Sequence, residues 1–400
     1  MRIAVIGGGL GGLSTAGFLA RAGLEDVQVY EQAGALGEIG AGIQVPPNAV
    51  RLLHRLGVVE QLDDAGVRLE VGWEFRRWRT GEVLYSQRLG TACEERFGAP
   101  YYVAHRAGLL DALLGVLPEG IVHVGKRCTA VEQTGEEVQV TFEDGESITA
   151  DVVIGADGIH SVVRGAVTTP SPPTFSGLAG YRCMLPAESA PPMALAPGFT
   201  VWLGPGRHLV HYPVSAGREV NLVAIVPAGE WRTESWVAEG TLEGLLAEHV
   251  GWADEVQELL GLAPKTWLYA LYDREPLARF VRGRIALVGD AAHPMLPFLA
   301  QGAAQAFEDG AALALCLREA GPGRARLGLE RYERARLERA SEVQRLSRGR
   351  PDINHLPDGP DQIRRDAQLA AQDPLEHNTW LYEHDVEAAL RGSDVASPLH

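Results

Sequence analysis

The stretch Ile3-Ala4-Val5-Ile6-Gly7-Gly8-Gly9-Leu10-Gly11-Gly12 stands near the start of the chain and decides how the rest is read. Four apolar residues in a row fit a strand buried on both faces. They run into Gly7-x-Gly9-x-x-Gly12. Leu13 to Ala22 then carries alanine and leucine at helical spacing and stops at Gly23, a residue suited to a left-handed helix end. Val27 to Tyr30 reads as a second strand and delivers Glu31 nineteen residues after Gly12. Each part has a job at a dinucleotide. Gly7 permits the tight turn, Gly9 lets backbone approach a pyrophosphate, and Gly12 allows close helix–strand contact. The helix start offers N–H groups to phosphate, and Glu31 can accept from a ribose hydroxyl. The glycine motif alone is weak, and even in this full context it leaves NAD and FAD both open.

Outward from that start, Gly37 to Gly42 is a second glycine-rich loop, and Asn48 reads as the cap of a helix over Ala49 to Leu56. Residues 68–90 alternate apolar and polar around Trp73, Phe75 and Trp78 and suggest antiparallel strands. His105-Arg106 precedes a leucine-rich helix, and Gly135 and Asp144-Gly145 mark turns between strands over 122–154. Asp151 to Ile154 returns as a buried strand, as does Ile285 to Val288. Between them the composition shifts toward Pro and Ser and then toward short strands. The reading is an FAD- or NAD-type α/β domain over 1–174, an inserted β-sheet domain over 175–275, a return with C-terminal helices over 276–350, and a polar tail over 351–400. The run of arginine and glutamate between Arg318 and Arg350 reads as a solvated helix face.

Composition bounds the rest. The 400 residues are 46% hydrophobic and 22% charged, which suits an ordinary globular core. Basic residues number 36 against 52 acidic, so the formal charge is −16 and a phosphate backbone would be repelled. No nucleic-acid partner is expected. The four cysteines, Cys93, Cys128, Cys183 and Cys316, form no CxxC pattern and suggest neither zinc nor a disulfide framework. No basic stretch followed by a long apolar run marks a signal peptide, and no apolar run approaches the roughly 18 residues of a membrane span. A cytoplasmic protein without a membrane partner is the expectation.

Three motifs now stand in order: Gly7-x-Gly9-x-x-Gly12; Asp151-Val-Val-Ile-Gly155-Ala-Asp157-Gly158-Ile-His-Ser161-x-Val-Arg164; and Gly289-Asp290-Ala-Ala-His293-Pro294. Together they resemble the signatures of group A FAD-dependent aromatic monooxygenases, the para-hydroxybenzoate-hydroxylase-like enzymes. The resemblance implies a Rossmann-like FAD-binding domain with an inserted mixed or antiparallel sheet over the substrate and a helical C-terminal region. It implies FAD as cofactor and NADH or NADPH as transient co-substrate, with no second nucleotide domain. It gives Asp290 to the ribityl hydroxyls, Arg106 to the phosphate–ribose region, and Asp157 to both FAD and the nicotinamide. Asp157 and Arg164 could instead pair with each other. It sets the helix start at Gly302-Ala303 against the flavin edge, where a positive dipole end steadies reduced flavin. The loop Gly40-Ala41-Gly42-Ile43-Gln44 resembles the family's flavin-flanking loop.

The chemistry so implied reduces FAD with NAD(P)H, adds O2, and delivers an electrophilic OH from a C4a-hydroperoxide to an electron-rich ring. No metal is needed. The protein must exclude water and deprotonate a phenol, a task for a base with a near-neutral pKa. On the inserted sheet, His211-Tyr212-Pro213 offers His211 as base. His208, three residues away, falls on the opposite strand face, and one of the two histidines could be merely solvated. Arg182 could pair a substrate carboxylate or be a surface charge. Gln301 resembles a glutamine that bonds substrate or hydroperoxide. Details such as His211-Tyr212-Pro213-Val214 and the segment 289–310 resemble salicylate-hydroxylase-like enzymes most. Salicylate to catechol is the leading expectation, with 3-hydroxybenzoate 6-hydroxylation, 6-hydroxynicotinate 3-hydroxylation and a non-oxygenating FAD reductase as alternatives. Monomer and homodimer both stay open.

Overall fold

The computed structural model describes residues 1–37, 41–234 and 238–392. Residues 38–40 of the glycine-rich loop, with Gly40 of the flavin-flanking loop, lie outside the described residues, as do parts of the inserted segment (235–237) and the tail (393–400). Ile3–Ile6 is wholly buried and pairs in parallel with Val27–Tyr30 on one side and Val152–Gly155 on the other. Ile285–Leu287 adds to Val152–Gly155, also in parallel. The chain thus leaves this sheet after residue 155 and returns to it some 130 residues later. Val122–His123 and the antiparallel Val281–Arg282 form its edges. Continuous apolar runs suit such strands, because helices and a second layer cover both faces. The strands Cys128–Thr134, Glu137–Phe142 and Ser147–Ala150 form a meander sharing the same core, turned at Gly135 and Gly145 with φ of 63° and 85°.

A seven-stranded sheet forms the second body. Its order is Trp267–Asp273, Thr174–Pro186, Glu219–Pro227, Arg207–Val214, Gly198–Gly204, Gly72–Arg77, Val83–Gln87. Neighbours are antiparallel except Gly198–Gly204 with Gly72–Arg77. Two of its strands therefore come from residues 72–87, upstream of the 175–275 segment. Alternation announced those strands, but nothing in their pattern says which sheet they join. One face of the sheet, through Trp202, Leu209 and Leu222, meets the helices Leu242–Ala247 and Asp254–Gly261. The other face, through Phe199, Val201, Val210 and Tyr212, meets Met295, Leu299 and the tail residues Leu381 and Tyr382. A small antiparallel sheet of Gly42–Val45, Tyr102–His105 and Gly66–Arg68 closes the junction.

Two sequence expectations need correction here. Asn48 does not cap its helix, which runs Pro47–Leu56 from Pro46 without a side-chain cap; the side chain is buried and bonded elsewhere. The arginine-rich run is not simply a solvated face. It forms the helix Ala325–Gly349, and Arg336 within it is fully buried against the helix Gly302–Ala320. Buried carboxylates on that helix, Glu308 and Asp309, account for the burial.

Candidate active site

The first turn has the shape its glycines require. A Cβ on Gly7, at φ 111°, would sit 2.3 Å from the Ala156 carbonyl oxygen, and one on Gly12 only 1.8 Å from that of Gly7. Neither position admits a side chain. A Cβ on Gly9 would meet nothing within 4 Å, so the turn opens onto free space where the helix Leu10–Arg21 begins. Glu31 accepts from Gly8 N at 2.6 Å and from Ala33 N at 2.7 Å. Its carboxylate is fixed beside the turn, with lone pairs still able to take a ribose hydroxyl.

Asp157 accepts from the Ser161 hydroxyl, from Val162 N at 2.7 Å and from Val163 N at 3.1 Å. It holds the start of the helix Val163–Val167. The Asp157–Arg164 pair does not form. Arg164 is buried and donates to the carbonyl oxygens of Ala291 and Ala292, at 3.0 and 3.4 Å, so it clamps the Gly289–His293 turn. Desolvation, then the nearby Arg274, lowers its pKa to about 10. Asp290 is exposed, yet desolvation by the protein around it pushes its carboxyl pKa up, an effect His293 and Arg106 oppose. Arg106 begins the helix Arg106–Gly115, anchored by its N–H to the Ala41 carbonyl at 2.8 Å.

Behind this turn lies a buried ionic network. Asp309 accepts from His293 Nε2 at 2.6 Å, Gly289 N at 2.9 Å and Arg336 Nε at 2.8 Å. Glu308 accepts from Arg336 at 2.6 Å, from Arg339 at 2.8 and 3.0 Å, and from Asn48 Nδ2 at 2.8 Å. Burial alone would raise the Glu308 carboxyl; Arg339 and Arg336 outweigh it and hold the group far below the usual carboxylate range. Asn48 also donates to Gln301 Oε1 at 3.1 Å, as does Gln305 Nε2. Gln301, 1% exposed, is left with an Nε2 that has no partner among the described residues. It precedes the helix Gly302–Ala320, next to Ala300 in a left-handed turn at φ 53°. A Cβ on Gly302 would again meet nothing within 4 Å. Open space at Gly9 and Gly302, an exposed Asp290 and an orphaned amide donor fit an extended dinucleotide cofactor at both ends.

A cavity of about 110 Å³ lies between the inserted sheet and the Pro297–Ala300 turn. Trp73, Phe75, Phe199 and Val210 supply its apolar wall, while Gln44 and His208 add polar groups. Arg350 is the one lining residue with a fixed charge among the described residues. Burial lowers its pKa, Tyr382 opposes that, and no carboxylate does.

The sheet register decides which candidates reach this cavity. His208, Val210 and Tyr212 share one face of the strand Arg207–Val214, and His211 takes the other. His211 is buried; desolvation, and then the charge of Arg76, lower its pKa to about 3, and its Nε2 has no partner among the described residues. The residue turned to the cavity is His208, not His211. Neither histidine is solvated: they are 5% and 2% exposed. Tyr212 is on the correct face but one step further along, beneath Gly42, where a Cβ would be 2.6 Å from its ring. Arg182 is neither a surface charge nor a cavity residue. It is buried, 5.7 Å from the Trp267 ring and 5.9 Å from that of Tyr269. Gln44 lines the cavity and accepts from the Tyr101 hydroxyl at 2.8 Å. Arg350, Asn354 and Asn378 were missed by sequence reasoning and carried no signal there. His208 was weighed but passed over for His211, although strand alternation already separated the two.

A model of the FAD binding domain family matches residues 1–347. The chain belongs to that family. A 3-amino-4-hydroxybenzoate 2-monooxygenase of Streptomyces platensis is 44% identical over 394 residues, 98% of this chain and 98% of the relative. A salicylate hydroxylase of Pseudomonas putida is 36% identical, covering 98% and 94%. Among solved structures, Klebsiella pneumoniae HpxO complexed with FAD and uric acid aligns with a TM-score of 0.83 at 30% identity over 96% of each chain. The chain is thus an FAD-dependent monooxygenase of this FAD binding family, using NAD(P)H, and the reductase alternative is set aside. No helix among the described residues is long and apolar enough to cross a membrane.

Proposed function

We propose that this FAD-dependent monooxygenase hydroxylates a small phenolic aromatic acid. One observation carries the reading: a ring-sized apolar cavity holds a neutral histidine and a single uncompensated guanidinium. Its volume of about 110 Å³ is of the order that accommodates one aromatic ring. Arg350 would bind the carboxylate bidentately. His208, kept neutral by burial and then by its neighbour His355, would take the phenolic proton, making the ring more nucleophilic. The Gly7–Gly12 turn, Glu31, Arg106, Asp290 and the Gly302–Ala303 helix start would hold FAD, which would supply the electrophilic oxygen when reduced by NAD(P)H in the presence of O2. Asp157 supports the second turn. Pro297, Phe298 and Leu299 keep water from the ring.

The sequence alone favoured salicylate. The Streptomyces relative, at 44% identity against 36% for salicylate hydroxylase, makes 3-amino-4-hydroxybenzoate the first substrate to assay and salicylate the second. The test is NAD(P)H oxidation with each acid, with the aromatic product isolated. We expect one acid to give stoichiometric ring hydroxylation. If every acid yields only hydrogen peroxide, the reading is wrong.

A further inference from the structure

His208 does more than line the cavity. Its Nδ1 lies 2.7 Å from Nε2 of His355, contributed by the start of the tail just after the helix Pro351–Asn354. Phe298 of the flavin-side turn packs on both rings, with centroids 5.7 and 6.2 Å away. His355 in turn lines a second, larger cavity of about 720 Å³, open to solvent, with Ser176, Leu296, Asp273 and Asp352 also on its wall. The two imidazoles therefore bridge the aromatic cavity and a larger, more open polar one. A half-buried histidine set nitrogen to nitrogen against a buried one is a poor packing choice unless the contact is used, because His208 gives up its hydration for that one hydrogen bond.

We propose that His355 is the outlet for the substrate's phenolic proton, a role that rests on a phenol binding beside His208. The phenol O–H breaks as His208 Nε2–H forms. His208 Nδ1–H breaks as His355 Nε2–H forms, and His355 Nδ1–H passes to water in the open cavity. One proton leaves, the substrate becomes a phenolate beside Arg350, and both rings stay neutral with their tautomers exchanged. A proton returning by the same route as the product forms restores them. Neither ring holds a charge at neutral pH: burial and His355 keep His208 well below its ordinary value, and burial, then Arg207 and Arg365, lower His355 to about 4. A pair that does not store the proton passes it on. His355 is a positioning residue that acts through His208.

The test uses FAD-loaded enzyme without NAD(P)H, mixed rapidly with 3-amino-4-hydroxybenzoate or salicylate in weak buffer containing a pH indicator. Wild type should release one proton as the acid binds. His355→Ala should retain its FAD spectrum and bind the acid but release the proton on the order of 100-fold more slowly, and added imidazole, which the open cavity admits, should restore the rate. His355→Gln keeps a hydrogen bond to His208 but cannot relay, and should stay slow. Proton release at the wild-type rate in either variant overturns the proposal, as does the absence of release from a wild type that hydroxylates normally. A wild type that hydroxylates neither acid nor any other phenol removes the functional reading itself, a separately visible result.

Discussion

A neutral imidazole and a guanidinium share one small cavity with no carboxylate among the described residues lining it, and that pairing sets the clearest tests. Replacing Arg350 with glutamine removes a charged hydrogen-bond donor worth about 1.5–3 kcal/mol. The Michaelis constant for the aromatic acid should rise on the order of 10- to 100-fold, with FAD content unchanged; steady-state kinetics beside the flavin spectrum would show it. His208→Leu should lower coupled hydroxylation by about 10²-fold or more, whereas His211→Leu, on the opposite strand face, should leave it intact. His211 has a different consequence. Its pKa falls from about 6.5 in the unfolded chain to about 3 when buried. The unfolded state therefore binds more protons between those values, so stability drops as pH falls through that window. His211→Leu should shift the acid-unfolding midpoint downward, measured by circular dichroism against pH. Sequence reasoning found the correct strand and the two-face logic, but which face meets the flavin depends on how the sheet docks, which no local pattern encodes. Arg182 and Arg350 make the same point: two arginines of equal chemistry, sorted only by tertiary position.

The helix Gly302–Ala320 links the site to its support. Its first residue faces open space, and nearly two turns further Glu308 and Asp309 anchor Arg336, Arg339, His293 and the Gly289 amide. Arg339 also donates to the carbonyl oxygens of Trp380 and Leu381, both at 3.1 Å, so the same ion cluster ties down the tail that covers the cavity. Removing one partner of a buried pair leaves uncompensated charge and costs about 3–5 kcal/mol. Glu308→Gln should lower Tm by several degrees, on the order of 10 °C, and loosen FAD retention, as calorimetry and gel filtration with flavin absorbance would report. Strands flanking the glycine turn were legible because period and punctuation agree there. The Arg318–Arg350 run was not, because a charge pattern cannot reveal that buried carboxylates on another helix await it.

Taken along its full length, the chain carries a formal charge of −16 while its ligands are anions. Attraction must come from local groups such as Arg106, Arg350 and the helix starts, against the overall field. Salt screens that field over about 10 Å at 0.1 M, so raising ionic strength from low values should speed association of an aromatic acid in stopped-flow binding; slower association would place steering charges where none have been found. The division into a nucleotide sheet and an inserted sheet was readable from three glycine clusters. The recruitment of residues 72–87 to the second sheet and of the tail to the cavity was not, since both are long-range pairings. The central claim is oxygen transfer to a phenolic acid, and incubation with NADH or NADPH, 18O2 and 3-amino-4-hydroxybenzoate or salicylate tests it directly. The new ring hydroxyl of the product should carry one 18O atom, formed in proportion to the NAD(P)H consumed. NAD(P)H consumption that yields only labelled hydrogen peroxide, with the acids recovered unchanged, would contradict it.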